Sequence, residues 1–194
     1  MNKPEKLTSN YAQPKYDIQK AQIDSRVIHL EGKVDPALAS YIIQTLFHLN
    51  ELDRKSPIQM YINSPGGSVI DGMAIIDAMN FIEAPVYTIA RGMAASMGAL
   101  ILAAGQKGKR FSLPNSVILI HEGSNGNEGT TSNFQSYAKF SEKLNIRANK
   151  FLAKATGKTV AQIKKAILVD NWMFSEDAKE YGLIDEIVTH ALEE

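Results

Sequence analysis

The sequence predicts an α/β protein with largely parallel strands, and three observations carry that prediction. Short apolar runs that read as strands alternate with segments whose apolar residues recur at helical spacing. Helix-start signals stand between them: Asp35-Pro36, Ser68 with Asp71, and Thr159 with Gln162. Glycines punctuate the ends of these segments, at Gly66-Gly67, Gly105 and Gly157.

Taken in order, residues 1–20 are polar, carry few large apolar groups and read as a flexible N-terminal arm, with a single domain over 21–194. Order is expected to begin near Ser25, where Arg26 to Leu30 reads as a short strand. The helix opened by Asp35-Pro36 runs on through Tyr41, Ile42, Leu46 and Leu49. Ile58 to Asn63 is a strand that stops at Ser64-Pro65-Gly66-Gly67, and Ser68 opens the next helix. Pro85 to Ala90 is a second strand, leading through Gly92 into Ser96. The apolar run Met97 to Ala104 then reads as a buried helix closed by Gly105. Ser116 to His121 is a third strand, followed by a polar loop from Gly123 to Asn133. Phe134, Tyr137, Leu144, Phe151 and Leu152 mark a long helix to Ala155, and Thr159 opens a short one to Ile167. There is no repeat at a solenoid period.

Composition narrows the function. The chain has 194 residues, 44% hydrophobic and 22% charged, with 21 basic and 21 acidic side chains. A net charge of zero argues against nucleic acid or a membrane surface as partner. The basic cluster Lys107-Gly108-Lys109-Arg110 reads as a solvated turn. With no cysteine, thiol catalysis, disulfides and thiolate metal sites are excluded. No H-x-H or H-E-x-x-H spacing points to a metal, so neither metal nor cofactor is expected. The polar N-terminus has no signal-peptide core and no apolar run reaches membrane-span length, so a soluble, cytoplasmic protein is expected.

Three strand ends carry apt chemistry, and in α/β proteins such ends gather the active groups. Ser96 lies among small residues in Gly92-Met93-Ala94-Ala95-Ser96-Met97-Gly98-Ala99, at a strand-to-helix turn where a substrate backbone could approach. Read alone, a plain N-cap role accounts for it. Gly66-Gly67 after a strand offers backbone N–H groups to an oxyanion, or is simply a tight turn. His121 directly follows the apolar run Val117 to Ile120. A serine hydroxyl needs a base, and the base needs an acid to hold its tautomer. Among the acids downstream, Asp170 is distinctive: it closes Ile167-Leu168-Val169, precedes Asn171-Trp172-Met173-Phe174, and is expected to be enclosed by apolar groups. The unaided reading is a serine peptidase with Ser96, His121 and Asp170 as triad.

Several separated motifs then resemble the Clp protease proteolytic subunit (ClpP) family. They are Tyr61-Ile62-Asn63-Ser64-Pro65-Gly66-Gly67, the Ser96 segment above, Ala103-Ala104-Gly105-Gln106-Lys107-Gly108-Lys109-Arg110, Leu113-Pro114-Asn115-Ser116 and Glu180-Tyr181-Gly182-Leu183-Ile184-Asp185. The resemblance spans residues 25 to 190 and implies a spiral ββα, crotonase-like fold with a protruding long handle helix. It implies that Ser96, His121 and Asp170 are nucleophile, base and acid, and that the Gly67 and Met97 amides form the oxyanion hole. It further implies polypeptide substrates, two stacked seven-subunit rings around a chamber, and an AAA+ ATPase unfoldase. That unfoldase would dock on a pocket including Tyr61, Phe81, Ile89 and Phe111. No P-loop is present, so the ATPase belongs to another chain. The chain departs from the family at Glu122-Gly123, where Gln-Pro is usual, and at Leu168-Val169, where an Asp-Arg pair is common. Gln59 and Arg91 stand at docking positions that are usually apolar. Two other readings are a catalytically silent subunit of a mixed ring and a crotonase-like acyl-CoA enzyme.

Overall fold

The computed structural model describes residues 18–123 and 130–192. The elements run α1 (Ile18–Asp24), β1 (Val27–Glu31), α2 (Pro36–Leu52), β2 (Ile58–Ser64), α3 (Val69–Phe81), β3 (Val86–Ala95) and α4 (Met97–Ala103). There follow β4 (Arg110–Ser112), β5 (Val117–Ile120), α5 (Thr131–Thr156), α6 (Val160–Ala166), β6 (Asn171–Phe174), α7 (Ser175–Tyr181) and β7 (Glu186–Ile187). The mixed α/β architecture matches the expected ClpP-type fold.

The helix starts obey local chemistry. Asp35 accepts a hydrogen bond from the Leu38 amide and Pro36 takes the first helical position. Thr159 and Gln162 make the reciprocal capping box expected of them. Ser68 accepts from the Asp71 amide at 3.3 Å. α5 and α7 end on the left-handed residues Gly157 and Gly182.

The sheet runs β1-β2-β3-β4-β7 in parallel, with β1 at its edge. β3 is longer than the sequence led us to expect, continuing through Gly92 to Ala95. Its first half pairs with β4 (Thr88↔Arg110) and its last residues pair with β5 (Met93↔Val117). Since β2 occupies the other edge, β4 and β5 follow one another along one edge of β3, and the sheet turns there. Gly92, with φ +88°, makes the irregularity possible, and the Asn63 side chain accepts from the Met93 amide where the β2–β3 register shifts.

β1, β2 and β3 bury Leu30, Ile58, Met60, Ile62 and Ala90 completely, and α2 covers them with Ile42, Leu46 and Leu49 at helical spacing. Every residue of α4 is buried, so an all-round apolar helix is what its position requires. α5 behaves differently. It has 26 residues, about 39 Å of helix at ~1.5 Å per residue. Only Ser141, Asn149, Leu152 and Ala153 are buried, none in its first ten residues, whereas Phe134, Tyr137 and Phe140 are exposed. Its first turns therefore project beyond the core, as a handle.

Some expectations need correction. α1 precedes Ser25, so regular structure starts earlier than the sequence indicated; residues 1–17 of the expected arm lie outside the described residues. Thr131 to Asn133, assigned to the polar loop, belong to α5, because Thr130 caps the helix by accepting from the Asn133 amide. The rest of that loop, residues 124–129, lies outside the described residues. The basic cluster is only partly a solvated turn. Lys107 and Lys109 are exposed, but Arg110 is 1% exposed. Its Nε and Nη2 donate to the Asp185 carboxylate and its Nη1 to the Ala155 carbonyl, at 2.7–3.0 Å. β4 thereby ties the α5 end to the C-terminal strand. Burial pushes the Asp185 carboxyl up, but hydrogen bonds from the Arg110 side chain and backbone, with its charge, outweigh this and hold it well below the usual carboxylate range. Among the described residues, no helix is long and apolar enough to cross a membrane.

Candidate active site

Three strand ends meet at one end of the sheet, and pairing register brings them together. Ala95, the last residue of β3, pairs with Leu119, and the Ser96 amide donates to the Leu119 carbonyl at 2.9 Å. On the other edge of β5, β6 runs antiparallel with Ile120 opposite Asn171. One step further along that ladder sets His121 opposite Asp170. Their side chains meet, with His121 Nδ1 3.3 Å from Asp170 Oδ1. The other ring nitrogen, Nε2, takes no part in that contact. Ser96 and His121 line the same small cavity, about 40 Å³ in volume.

Ser96 is not a plain N-cap. Its side chain makes no capping bond to α4, and its backbone lies at φ 55°, ψ −119°, a conformation that costs a side-chain-bearing residue about 1–3 kcal/mol. A sharp strand-to-helix turn of this kind presents the serine side chain at the top of the sheet although the residues are not G-x-S-x-G.

Gly66 packs directly beneath it. A Cβ at Gly66 would lie 2.6 Å from Ser96 Cβ, 2.7 Å from Ala95 O and 2.8 Å from Met97 N. Only a glycine lets the two turns approach so closely. Gly67 bridges to Val34 in parallel fashion: the Val34 amide donates to the Gly66 carbonyl and the Ser68 amide to the Val34 carbonyl, both at 2.8 Å. In a parallel bridge the central residue's own N–H points to the opposite side, so the Gly67 amide is turned away from Val34. Met97 is the first residue of α4, where an N–H has no intrahelical acceptor. The Gly66 turn and the start of α4 at Met97 thus meet at the Ser96 position.

Asp170 reaches this place for a reason other than the one the sequence indicated. It is not enclosed: its side chain is 60% exposed, and Leu168, Val169 and Trp172 are exposed beside it. The β5–β6 register positions it, not burial. The four docking residues fare unevenly. Tyr61, Ile89 and Phe111 stand in register on β2, β3 and β4, on one face of the sheet. Ile89 and Phe111 are buried, so in the single chain Tyr61 offers the surface of that trio. The Arg91 guanidinium lies 5.6 Å from the Tyr61 ring centre and is ion-paired with Glu31. Phe81, at the end of α3, is 79% exposed with its ring edge-on to Phe47.

Residues from α5 reach the site that sequence reasoning missed. Asn145 and Asn149 join Glu122 in lining both the small cavity and a larger one of about 490 Å³ alongside α5. Their signal was present: Ser141, Asn145 and Asn149 form a polar stripe at i, i+4, i+8 on the stretch of helix that docks. Polar groups on a docked face need partners, which marks a site. A family model described as Clp protease matches residues 10–191, nearly the full length, and the chain belongs to the Clp protease family.

Proposed function

We propose that this Clp-type proteolytic subunit hydrolyses peptide bonds with Ser96 as nucleophile, His121 as general base and Asp170 as the group that orients the base. The observation that supports this most directly is the approach of His121 Nδ1 to Asp170, with the imidazole and Ser96 on one cavity. Ser96 Oγ attacks the scissile carbonyl while its proton passes to His121 Nε2. Asp170 keeps the Nδ1–H tautomer and stabilises the imidazolium that forms. The Gly67 and Met97 amides donate to the oxyanion of the tetrahedral intermediate, where preorganised dipoles are worth most. The imidazolium then protonates the leaving amine, and a water activated by the same imidazole hydrolyses the acyl-enzyme and regenerates Ser96.

The substrates are unfolded polypeptides, delivered by a separate AAA+ ATPase ring. The subunits form seven-membered rings, two of them stacked around a chamber in the cytoplasm. The exposed apolar residues of the α5 handle favour assembly, since isolated soluble chains rarely leave such a stripe wet. The test is a fluorophosphonate probe with a fluorogenic peptide. Wild type is labelled at Ser96 and turns over peptide, whereas Ser96→Ala loses labelling and about three to six orders of magnitude in rate. Residual activity above about a tenth of wild type would overturn the assignment, given triad losses of this size. A chain that is never labelled is instead a silent subunit or an acyl-CoA enzyme.

A further inference from the structure

We propose that Gly72, in the first turns of α3, is a positioning residue for the oxyanion hole. By receiving the Met97 side chain it fixes where the Met97 amide stands relative to Gly67. This rests on the reading of Ser96 as nucleophile with those two amides as oxyanion donors. Inside a helix, glycine is the least favourable residue after proline, so its presence there needs a reason. Backbone conformation does not supply one: Gly72 donates to the Ser68 carbonyl at 3.0 Å as an ordinary helical residue, and its φ is not positive. Space supplies it. A Cβ at Gly72 would overlap Met97 Cγ and lie 2.6 Å from its Sδ and 2.8 Å from its Cε. The Met97 side chain thus lies across the bare backbone of α3.

Both partners of this contact are enclosed. Gly72 is buried and Met97 is 2% exposed, in an interior packed without spare room. The next residue is held from another side: a Cβ at Gly98 would lie 3.1 Å from the Ser64 carbonyl oxygen, and Ser64 is fully buried at the end of β2. The start of α4 is therefore gripped by two elements, α3 through the Met97 side chain and β2 through Gly98. The same α3 begins just after Gly67, with Ser68 as its N-cap. One helix carries the Gly67 turn at its start and the seat of Met97 a turn later, so the packing of α3 on α4 sets the spacing of the two amides. Oxyanion stabilisation depends on donors fixed in advance, and a small displacement of one weakens it. A methyl at Gly72 has two possible outlets. It shifts the first residue of α4, or it drives the Met97 side chain into the small cavity that Met97 borders with Val69 and Ser96. The grip on α4 favours the first, and the two have different kinetic signatures.

The experiment compares full-length wild type, Gly72→Ala, Met97→Ala and the double variant, using a fluorogenic peptide and a peptide boronate of the same sequence. Gly72→Ala is expected to lower kcat about ten- to a hundredfold, short of losing a donor outright. KM stays within about threefold of wild type, because the ground state does not use the hole. The boronate forms a tetrahedral adduct that offers an oxygen to the donors, so its affinity falls in parallel with kcat/KM. Met97→Ala keeps the backbone amide but removes the side chain that seats it. It lowers kcat and boronate affinity in the same way, and serves if Gly72→Ala folds poorly. In the double variant the added methyl takes room that the Met97 side chain vacates, and kcat exceeds the product of the two single effects by about tenfold or more. Three results would overturn the positioning role: a raised KM with kcat kept, unchanged boronate affinity, or single losses that simply multiply. Fluorophosphonate labelling of wild type would then leave the nucleophile standing. Absence of both turnover and labelling in wild type would remove the nucleophile, and the role of Gly72 with it.

Discussion

Replacing Ser96 by glycine separates the cost of the serine's conformation from its proposed chemistry. Ser96 is held at φ 55°, ψ −119°, outside the regions a side-chain-bearing residue prefers, and no capping bond offsets this. Such strain costs about 1–3 kcal/mol. Glycine adopts the same angles freely but gives up about 0.5–1 kcal/mol through the larger freedom of its unfolded chain. The net expectation is a gain centred on about 1 kcal/mol for Ser96→Gly. Ser96→Ala keeps the Cβ, hence the strain, and stays near wild type. Both variants lose peptide hydrolysis. The assay is thermal unfolding at matched subunit concentration, because association adds its own stabilisation. For a chain of this size each kcal/mol raises Tm by about 2–4 °C. A glycine variant no more stable than the alanine variant would refute the strained-turn account of the site.

Three further substitutions probe the site's support and the surrounding frame. Gly66→Ala drives a methyl into Ser96, Ala95 and Met97 backbone and side-chain atoms at 2.6–2.8 Å. We expect about a hundredfold loss of kcat/KM, the size of an ångström-scale misplacement, with about 1–3 kcal/mol of stability. Gly157→Ala, also at positive φ but with open space around it, should cost stability alone, measured by the same two assays. Asp185→Asn removes the carboxylate from Arg110, which is 1% exposed, and should destabilise by about 3–5 kcal/mol in thermal or urea unfolding. The pH sign follows from the depressed Asp185 carboxyl: its contribution is fully present above the unfolded value of about 3.9 and is lost as pH falls below it. Wild type should therefore lose stability below about pH 4 more steeply than Asp185→Asn, and equal acid slopes would contradict the pairing.

Local chemistry decided much of this protein in advance. The α/β alternation, the caps at Asp35, Ser68 and Thr159, and the glycine ends are set by residues within a few positions of one another, so they are legible along the chain. So is the placement of Ser96 and His121 at strand ends, because an apolar run stops beside each. Tertiary structure decided the rest. The meeting of His121 with Asp170 depends on the register of β5 against β6, and no pattern within either segment specifies which residue faces which. The sequence reading selected Asp170 by expected burial, yet the folded chain leaves its apolar neighbours in solvent and positions the acid through pairing. Arg110 reads as one more turn cation until Asp185, remote in sequence, closes over it. The strained Ser96 backbone and the Gly66 contact arise only when two turns are pressed together by the β2–β3 and β3–β5 pairings. The α5 asparagines acquire meaning only from what the helix docks against. In each case the deciding contact joins residues far apart in the chain, and its free energy comes from burial and strand pairing that exist only in the assembled core.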